Sequence, residues 1–412
     1  MDPHELREAA ERWLAEDPDA ATRGELRQLL DRDDRAALED RFSGRLQFGT
    51  AGLRGLIGAG PNRMNRLVVI RATAGLARYL LDHVPDAATR GVVVGCDGRH
   101  LSAEARADVA AILAGHGIRA RVFTALVPTP LAAYAVSHLR AAAGVMITAS
   151  HNPAGYNGYK VYWGNGAQIV PPHDEGIAEA IDAVGPISSI PRLDEAAATL
   201  RGLREELGEE TILAYLGEVE DLSRRPARER RGLRIAYTAM HGVGGTLAIR
   251  ALSRFGFDDV KVVAEQMEPD PEFRTVAFPN PEEKGAMDLV LALAASASAD
   301  LVLANDPDAD RLAVAVPRGD GGFQALSGNE IGMLLASWLL EDPRPEGKPL
   351  AITTIVSTPM LAAMCAKLGV ACEEVLTGFK WIANRAMELE EREGARFVLG
   401  FEEALGYSVG TV

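Results

Sequence analysis

Cysteine is scarce: Cys96, Cys365 and Cys372 are scattered through 412 residues and form no C-x-x-C pair. Neither a disulfide framework nor a zinc site is indicated, and a reducing cytoplasmic setting fits best. Positive charge is also in deficit. The 43 Lys and Arg face 58 Asp and Glu, for a net charge of −15, so the surface as a whole repels polyanions and offers nucleic acid no general footing. The basic run at 223–232, S-R-R-P-A-R-E-R-R-G, reads as a solvated linker inside an acidic chain. Long unbroken apolar runs are missing. The richest stretch, Met287 to Asn305, is interrupted by Ser296, Ser298 and Asp300 and reads as helix followed by strand, not as a membrane span. The N-terminus, M-D-P-H-E-L-R-E-A-A-E-R-W-L, is charged and amphipathic, the pattern of a surface helix rather than of a secretory signal. Aromatics make up only 6% of the chain, against many Ala, Gly and Val, the profile of a soluble α/β enzyme.

What is present is an alternation of Val/Ile/Leu-rich runs with Ala-rich helical stretches, the pattern of sheets covered on both faces. Strands are predicted near Gly91–Cys96, Ala120–Phe123, Gly144–Thr148 and Tyr159–Trp163. After a polar stretch with Pro186 and Pro191, a second unit runs from L-R-I-A-Y-T through a helix at Gly245–Phe255, a strand at Val260–Val263, a helix at Pro281–Ser296 and a strand at Ala299–Ala304. A third unit holds strands at L-A-I-T-T-I-V, Glu373–Leu376 and Arg396–Leu399, with helices at Met360–Lys367 and Lys380–Glu388. The expected fold is thus α/β: three consecutive domains, 1–205, 206–322 and 323–412, with mixed, mostly parallel sheets covered by helices.

The chemistry concentrates where strands end. In A-N-D-P-D-A-D-R, Asp306, Asp308 and Asp310 alternate just past an apolar run. Carboxylates on alternate residues of an extended loop point the same way and offer hard oxygen ligands to Mg²⁺, which binds through few protein carboxylates and leaves room for a phosphate oxygen. An Asp-rich surface turn is the plain alternative, but ligands of open α/β sheets bind beyond the carboxyl ends of strands. Ser150 in I-T-A-S-H-N-P-A-G-Y-N-G-Y-K has the same address, as do Thr377 and Gly378 after E-E-V-L and Glu402 after R-F-V-L-G-F. In F-G-T-A-G-L-R-G, Gly49, Gly52 and Gly55 permit close backbone approach, and Arg54 offers a bidentate fork to phosphate. The loop has neither dinucleotide-fingerprint nor P-loop spacing. Ser150 beside His151 invites an acyl-transfer triad, but no G-x-S-x-G elbow is present, and adjacency in sequence does not by itself bring an imidazole onto its neighbour's hydroxyl. His241, in T-A-M-H-G-V-G-G, calls for the same caution.

Taken together, F-G-T-A-G-L-R-G, T-A-S-H-N-P-A-G-Y-N-G-Y-K, D-P-D-A-D-R, L-T-G-F-K and G-F-E-E-A-L-G-Y resemble the α-D-phosphohexomutases, in particular the phosphoglucomutase/phosphomannomutase group with its phosphopentomutase-active relatives. The resemblance implies that Ser150 is the phosphoserine, that His151 belongs to the catalytic loop, and that Asp306, Asp308 and Asp310 hold Mg²⁺ with a phosphoserine oxygen of Ser150 as a further ligand. It implies transfer of the phosphoryl group to a hexose phosphate, glucose first and mannose second, with glucose 1,6-bisphosphate as intermediate and activator. Arg54 and Arg311 would supply positive charge at the transferring group, and Lys160 either stabilises charge or helps move a proton. Thr377, Gly378, Lys380 and Glu402 fall in the sugar-recognition loops. Small-molecule sugar phosphates are the implied partners, with no nucleic acid and no membrane, in a monomer or homodimer.

Two departures stand out. Where many relatives have E-x-S, this chain has Glu402-Glu403-Ala404, which removes one hydroxyl contact and opens the choice between hexose and pentose. The family's fourth domain, with its R-x-S-G-T-E phosphate loop, is absent from these 412 residues. Hydrolysis or bisphosphate formation in place of isomerisation, or an inactive piece of a longer chain, are the corresponding alternatives.

Overall fold

The computed structural model describes residues 2–47, 52–223, 232–319, 321–341 and 347–410. Gly49 and the arginines within 224–231 lie outside the described residues. The chain forms two compact units, Met1–Glu209 and Glu210–Val412. Among the described residues no helix is long and apolar enough to cross a membrane.

The first unit opens with the expected surface helix, Pro3–Glu16, whose start is fixed by Pro3 and by a capping box between Asp2 and Glu5. Leu6, Ala10 and Trp13 on one face of it join Leu26, Leu38 and Phe42 of the next two helices in a separate small core. The unit's six-stranded sheet has β1 (Leu53–Leu56), β2 (Val92–Cys96), β3 (Ala120–Phe123), β4 (Ala143–Ile147), β5 (Tyr156–Trp163) and β6 (Arg204–Leu207), in the order β1-β5-β4-β2-β3-β6. The inner strands β2, β3 and β4 are parallel, and β5 runs antiparallel to both β4 and β1. β2 and β4 are buried along their whole length, as expected of strands covered on both faces.

The second unit carries two sheets. One has β7 (Arg234–Thr238), β8 (Asp259–Val262), β9 (Leu301–Asn305), β10 (Leu312–Pro317) and β11 (Phe323–Ala325), in the order β11-β10-β9-β7-β8. The other has β12 (Pro349–Thr354), β13 (Ala371–Val375), β14 (Arg396–Glu402) and β15 (Gly406–Val409), in the order β13-β12-β14-β15. Parallel pairs run to one edge of each sheet, at β8 and β13, with antiparallel strands on the other side. β6 spans the boundary that the sequence pattern places after residue 205, and β11, which begins just past the one placed after 322, pairs with β10.

Two local expectations change. The helix expected from Pro281 begins only at Asp288. Pro281–Met287 forms turns in which Asn280 accepts the Glu282 amide and Gly285 takes φ +89°, because Pro, Asn and Gly favour turn geometry over a helix start. β5 begins at Tyr156 rather than Tyr159, since pairing with β1 on one side and β4 on the other extends it. Lys160 is therefore a mid-strand residue paired with Met146.

Candidate active site

Ser150 lies in the hairpin that joins β4 to β5. It is buried and takes φ +52°, a left-handed conformation that costs an L-residue energy and persists only where its surroundings enforce it. Its amide donates to Thr148 Oγ1 at 2.8 Å. His151 Nδ1 sits 3.2 Å from Ser150 Oγ, so the fold does what adjacency alone does not and puts the imidazole within reach of its neighbour's hydroxyl. Arg54, on the neighbouring β1, donates to Asn152 Oδ1 at 2.8 Å, which brings it to the serine loop. Lys160 is almost wholly buried, at 3% exposure. Gly52 (φ +84°) and Gly55 have a structural explanation. A Cβ at Gly52 would meet the Tyr159 carbonyl oxygen at 2.5 Å, and one at Gly55 would meet the Leu46 side chain at 2.9 Å.

The aspartates follow β9 in the second unit. The loop is a turn, not an extended segment: Ala309 takes φ +54° and its amide donates to Asp306 O at 2.9 Å. Turning, rather than alternation along a strand, gathers the carboxylates, and an oxygen from each of Asp306, Asp308 and Asp310 lies within 4.8 Å of the others. Asp306 and Asp308 are fully buried. Like charges so close in so little water repel unless a cation lies among them, and an all-carboxylate donor set suits a hard divalent ion such as Mg²⁺. The residues present fit the metal that the resemblance implies. Asp306 also accepts the Arg311 amide at 3.0 Å.

His241-Gly242-Val243-Gly244, after β7, buttresses this turn. The Val243 amide donates to Pro307 O at 2.8 Å, and Cβ atoms at Gly242 and Gly244 would meet Pro307 Cα at 2.4 Å and Ala309 Cβ at 2.7 Å. His241 is a buried residue whose Nε2 lies 2.8 Å from Thr275 Oγ1. Burial also lowers its pKa. Gly242→Ala is expected to cost about 1–3 kcal/mol of stability, the usual penalty of overpacking, and to weaken Mg²⁺ binding by displacing Pro307. Wild-type denaturant midpoint and metal affinity in that variant would refute the buttress.

The sugar-loop candidates are also in the second unit. Gly378 (φ +128°) donates its amide to Glu402 Oε1 at 2.5 Å, joining the loop after β13 to the end of β14. Thr377 is exposed beside it, and Lys380, in the first turn of the helix Phe379–Glu393, is buried with Nζ 5.2 Å from the Trp381 ring centroid. Burial is the main cause that pushes the Glu402 pKa up to about 6; the Gly378 amide and Arg311 oppose it, while Glu403 and Asp310 reinforce it. A carboxylic acid raised from 4.5 to about 6 on folding favours the fold fully below pH 4.5, and that contribution is lost as pH rises through 6. The wild type should therefore lose about 2 kcal/mol relative to Glu402→Gln between pH 4 and 7. The glutamine oxygen can keep the Gly378 bond. Parallel pH profiles in urea unfolding would exclude this.

Sequence reasoning missed several residues here. Asp97 and Arg99 follow β2 in C-D-G-R-H, the same strand-end address as the other loops, and that address was the available signal. Glu282, whose pKa burial raises, lies 3.4 Å from Arg311 Nη1. Glu403 Oε2 accepts from both Thr354 and Ser357 at 3.0 Å. Only the folded chain shows these partners.

The chain matches the description "Phosphoglucomutase/phosphomannomutase, alpha/beta/alpha domain I" over residues 45–186, domain II over 214–321 and domain III over 327–412. A Schizosaccharomyces pombe protein named "Probable phosphoribomutase" is 43% identical over 420 residues, covering 100% of this chain and 70% of that protein. The phosphopentomutase of Mus musculus is 39% identical over 417 residues, covering 96% of this chain and 66% of that protein. The chain thus spans about two thirds of the length of these relatives. The crystal structure of a phosphoglucomutase/phosphomannomutase family protein from Burkholderia thailandensis shares the fold, with a TM-score of 0.68 at 22% identity over 89% of this chain and 73% of that one. Fold and matched domains define the class as sugar-phosphate mutases built from consecutive α/β domains. This chain belongs to the phosphoglucomutase/phosphomannomutase family of the α-D-phosphohexomutase superfamily.

Proposed function

We propose that the protein interconverts pentose 1-phosphate and pentose 5-phosphate through a phosphoserine at Ser150 and a sugar bisphosphate intermediate. The observation that carries the chemistry is the triad of carboxylates within 4.8 Å, two of them fully buried. Pentose takes precedence over the hexose implied by the motifs because the relatives at 43% and 39% identity carry the names phosphoribomutase and phosphopentomutase. Ala404 in the sugar loop, where many relatives have serine, agrees with a changed sugar contact.

In the forward half-reaction a sugar hydroxyl oxygen forms a bond to the phosphorus of phospho-Ser150 and loses its proton, while the Ser150 oxygen leaves and is protonated. The bisphosphate turns around and returns its other phosphoryl group to Ser150. Phosphoryl transfer asks the protein mainly for positioning and charge neutralisation. Arg54 contributes a fork for phosphate oxygens, and Lys160 a buried cation in the strand that follows the loop. Asp306, Asp308 and Asp310 would hold Mg²⁺, which when bound supplies positive charge to a transferring phosphoryl group. Gly378, Glu402, Thr377 and Lys380 bind sugar hydroxyls and phosphate. The protein acts on free sugar phosphates in the cytoplasm, as a monomer or homodimer.

The test is turnover of the purified protein with Mg²⁺ and a trace of sugar bisphosphate. The kcat/KM for ribose 1-phosphate should exceed that for glucose 1-phosphate by at least about tenfold, a difference of ~1.4 kcal/mol in transition-state binding. A preference for glucose or mannose phosphates would return the assignment to the hexose reading. Free phosphate released without isomerised sugar would replace it with hydrolysis.

A further inference from the structure

Arg99 belongs to none of the motifs that carry the family resemblance, yet it makes the densest set of polar contacts to the serine loop. Its side chain is 1% exposed. Nη2 donates to the carbonyl oxygens of Ser150 and, at 2.6 Å, Asn152; Nη1 donates to those of Pro153 at 2.9 Å and Tyr156 at 3.2 Å. Four main-chain acceptors of one hairpin thus converge on one buried guanidinium. Nε stands 3.3 Å from Asp97 Oδ2, and the carboxylate of Asp97 is held in turn, accepting from Ser102 Oγ at 2.8 Å and from the Arg99 amide at 3.1 Å. Ser102 Oγ accepts from Asn157 Nδ2 at 2.9 Å, which closes the network onto β5. Burial raises the Asp97 pKa, and Arg99 opposes that shift, as in any ion pair removed from water.

We propose that Arg99 is the positioning residue of the serine loop, the group that fixes Ser150 in its left-handed conformation and so sets the direction of its hydroxyl. Bonds within the hairpin itself, such as Asn152 N to Ala149 O and Tyr156 N to Pro153 O, shape short turns but do not tie the loop to the body of the unit. The Arg99 fork does, across 51 to 57 residues of sequence. A lysine cannot replace it: its three donors sit on a single nitrogen and cannot span four carbonyls in the fixed plane of a guanidinium. In the reaction, the inference rests on the proposed role of Ser150 as phosphoryl carrier, because a misplacement of the nucleophile by about 1 Å costs phosphoryl transfer roughly 10²-fold.

The test compares wild type with Arg99→Lys and Ser102→Ala. The first keeps the charge and removes the fork; the second leaves the guanidinium and removes one bond that orients Asp97. Hydrogen exchange of the amides at 148–157 should quicken at least about tenfold in R99K and by a smaller factor in S102A, with β2 and β3 unchanged, since local opening reports local stability. The rate of Ser150 phosphorylation by ribose 1,5-bisphosphate should fall about 10²-fold in R99K, with KM within a few-fold of wild type. Unchanged loop exchange in R99K overturns the inference, as does a loss confined to KM. If R99K does not fold, unchanged exchange in S102A overturns it. If wild-type Ser150 neither carries nor accepts a phosphoryl group, the proposed function falls, and loop exchange alone decides the role of Arg99.

Discussion

Ser150→Ala is expected to lose at least about 10⁴-fold in mutase turnover, the scale on which removal of a covalent nucleophile registers. The mass of one phosphoryl group should also vanish from protein exposed to sugar bisphosphate. Alanine keeps the burial of the site and nearly its volume, so stability should change little. The companion variant is His151→Asn. The 3.2 Å separation of His151 Nδ1 from Ser150 Oγ satisfies both a Ser–His acyl-transfer pair and a phosphoryl carrier with a neighbouring imidazole. A general base contributes about 10²–10⁴-fold, whereas in a true Ser–His unit loss of the base costs as much as loss of the serine. A His151→Asn loss well short of the serine loss, with phosphoserine retained, supports the carrier. Equal losses with no phosphoserine in the wild type would sink it.

The second large effect has two signs. Asp308→Asn should lower turnover by about 10³-fold through loss of Mg²⁺, and should raise the stability of the metal-free protein. Asp308 is fully buried, and its carboxylate shares a 4.8 Å cluster with those of Asp306 and Asp310. Without a cation, neutralising one member relieves repulsion in a dry site. The wild type should recover on adding metal, by about 2.7 kcal/mol at a hundredfold excess over the dissociation constant, while Asp308→Asn should gain almost nothing. Unfolding curves with and without Mg²⁺ separate these outcomes. A variant less stable than wild type without metal, or stabilised equally by it, would show that the triad holds no ion.

Much of this was legible in the sequence for one reason: doubly covered parallel strands read as apolar runs, and the residues just past them were the ones to inspect. β2, β3, β4, β7, β8, β9, β12, β13 and β14 were visible this way, and with them Ser150, the three aspartates and Glu402. Antiparallel edge strands were not. β1 has only Leu53, Arg54, Gly55 and Leu56, and β11 only Phe323, Gln324 and Ala325, so neither carries a periodicity long enough to read. The turn at Ala309 was hidden because its left-handed backbone falls on an alanine, where propensity gives no warning. Arg99 shares the strand-end address, but its task was hidden for a different reason: its four acceptors are carbonyl groups, which every residue possesses. Sugar preference turned on the identities of relatives more than on any residue whose chemistry names its ligand.

That last property of the serine loop bears on its redesign. In a hairpin held mostly through main-chain oxygens, with Thr148 and Asn152 as side-chain anchors, His151, Ala154 and Gly155 form a platform whose side chains can be changed while the backbone stays in place. A library randomised at those three positions should remain folded far more often than one randomised at Asp97, Arg99 and Ser102, although the latter lie outside the hairpin. For this protein, the route to a new specificity in the serine loop runs through residues its scaffold does not count on.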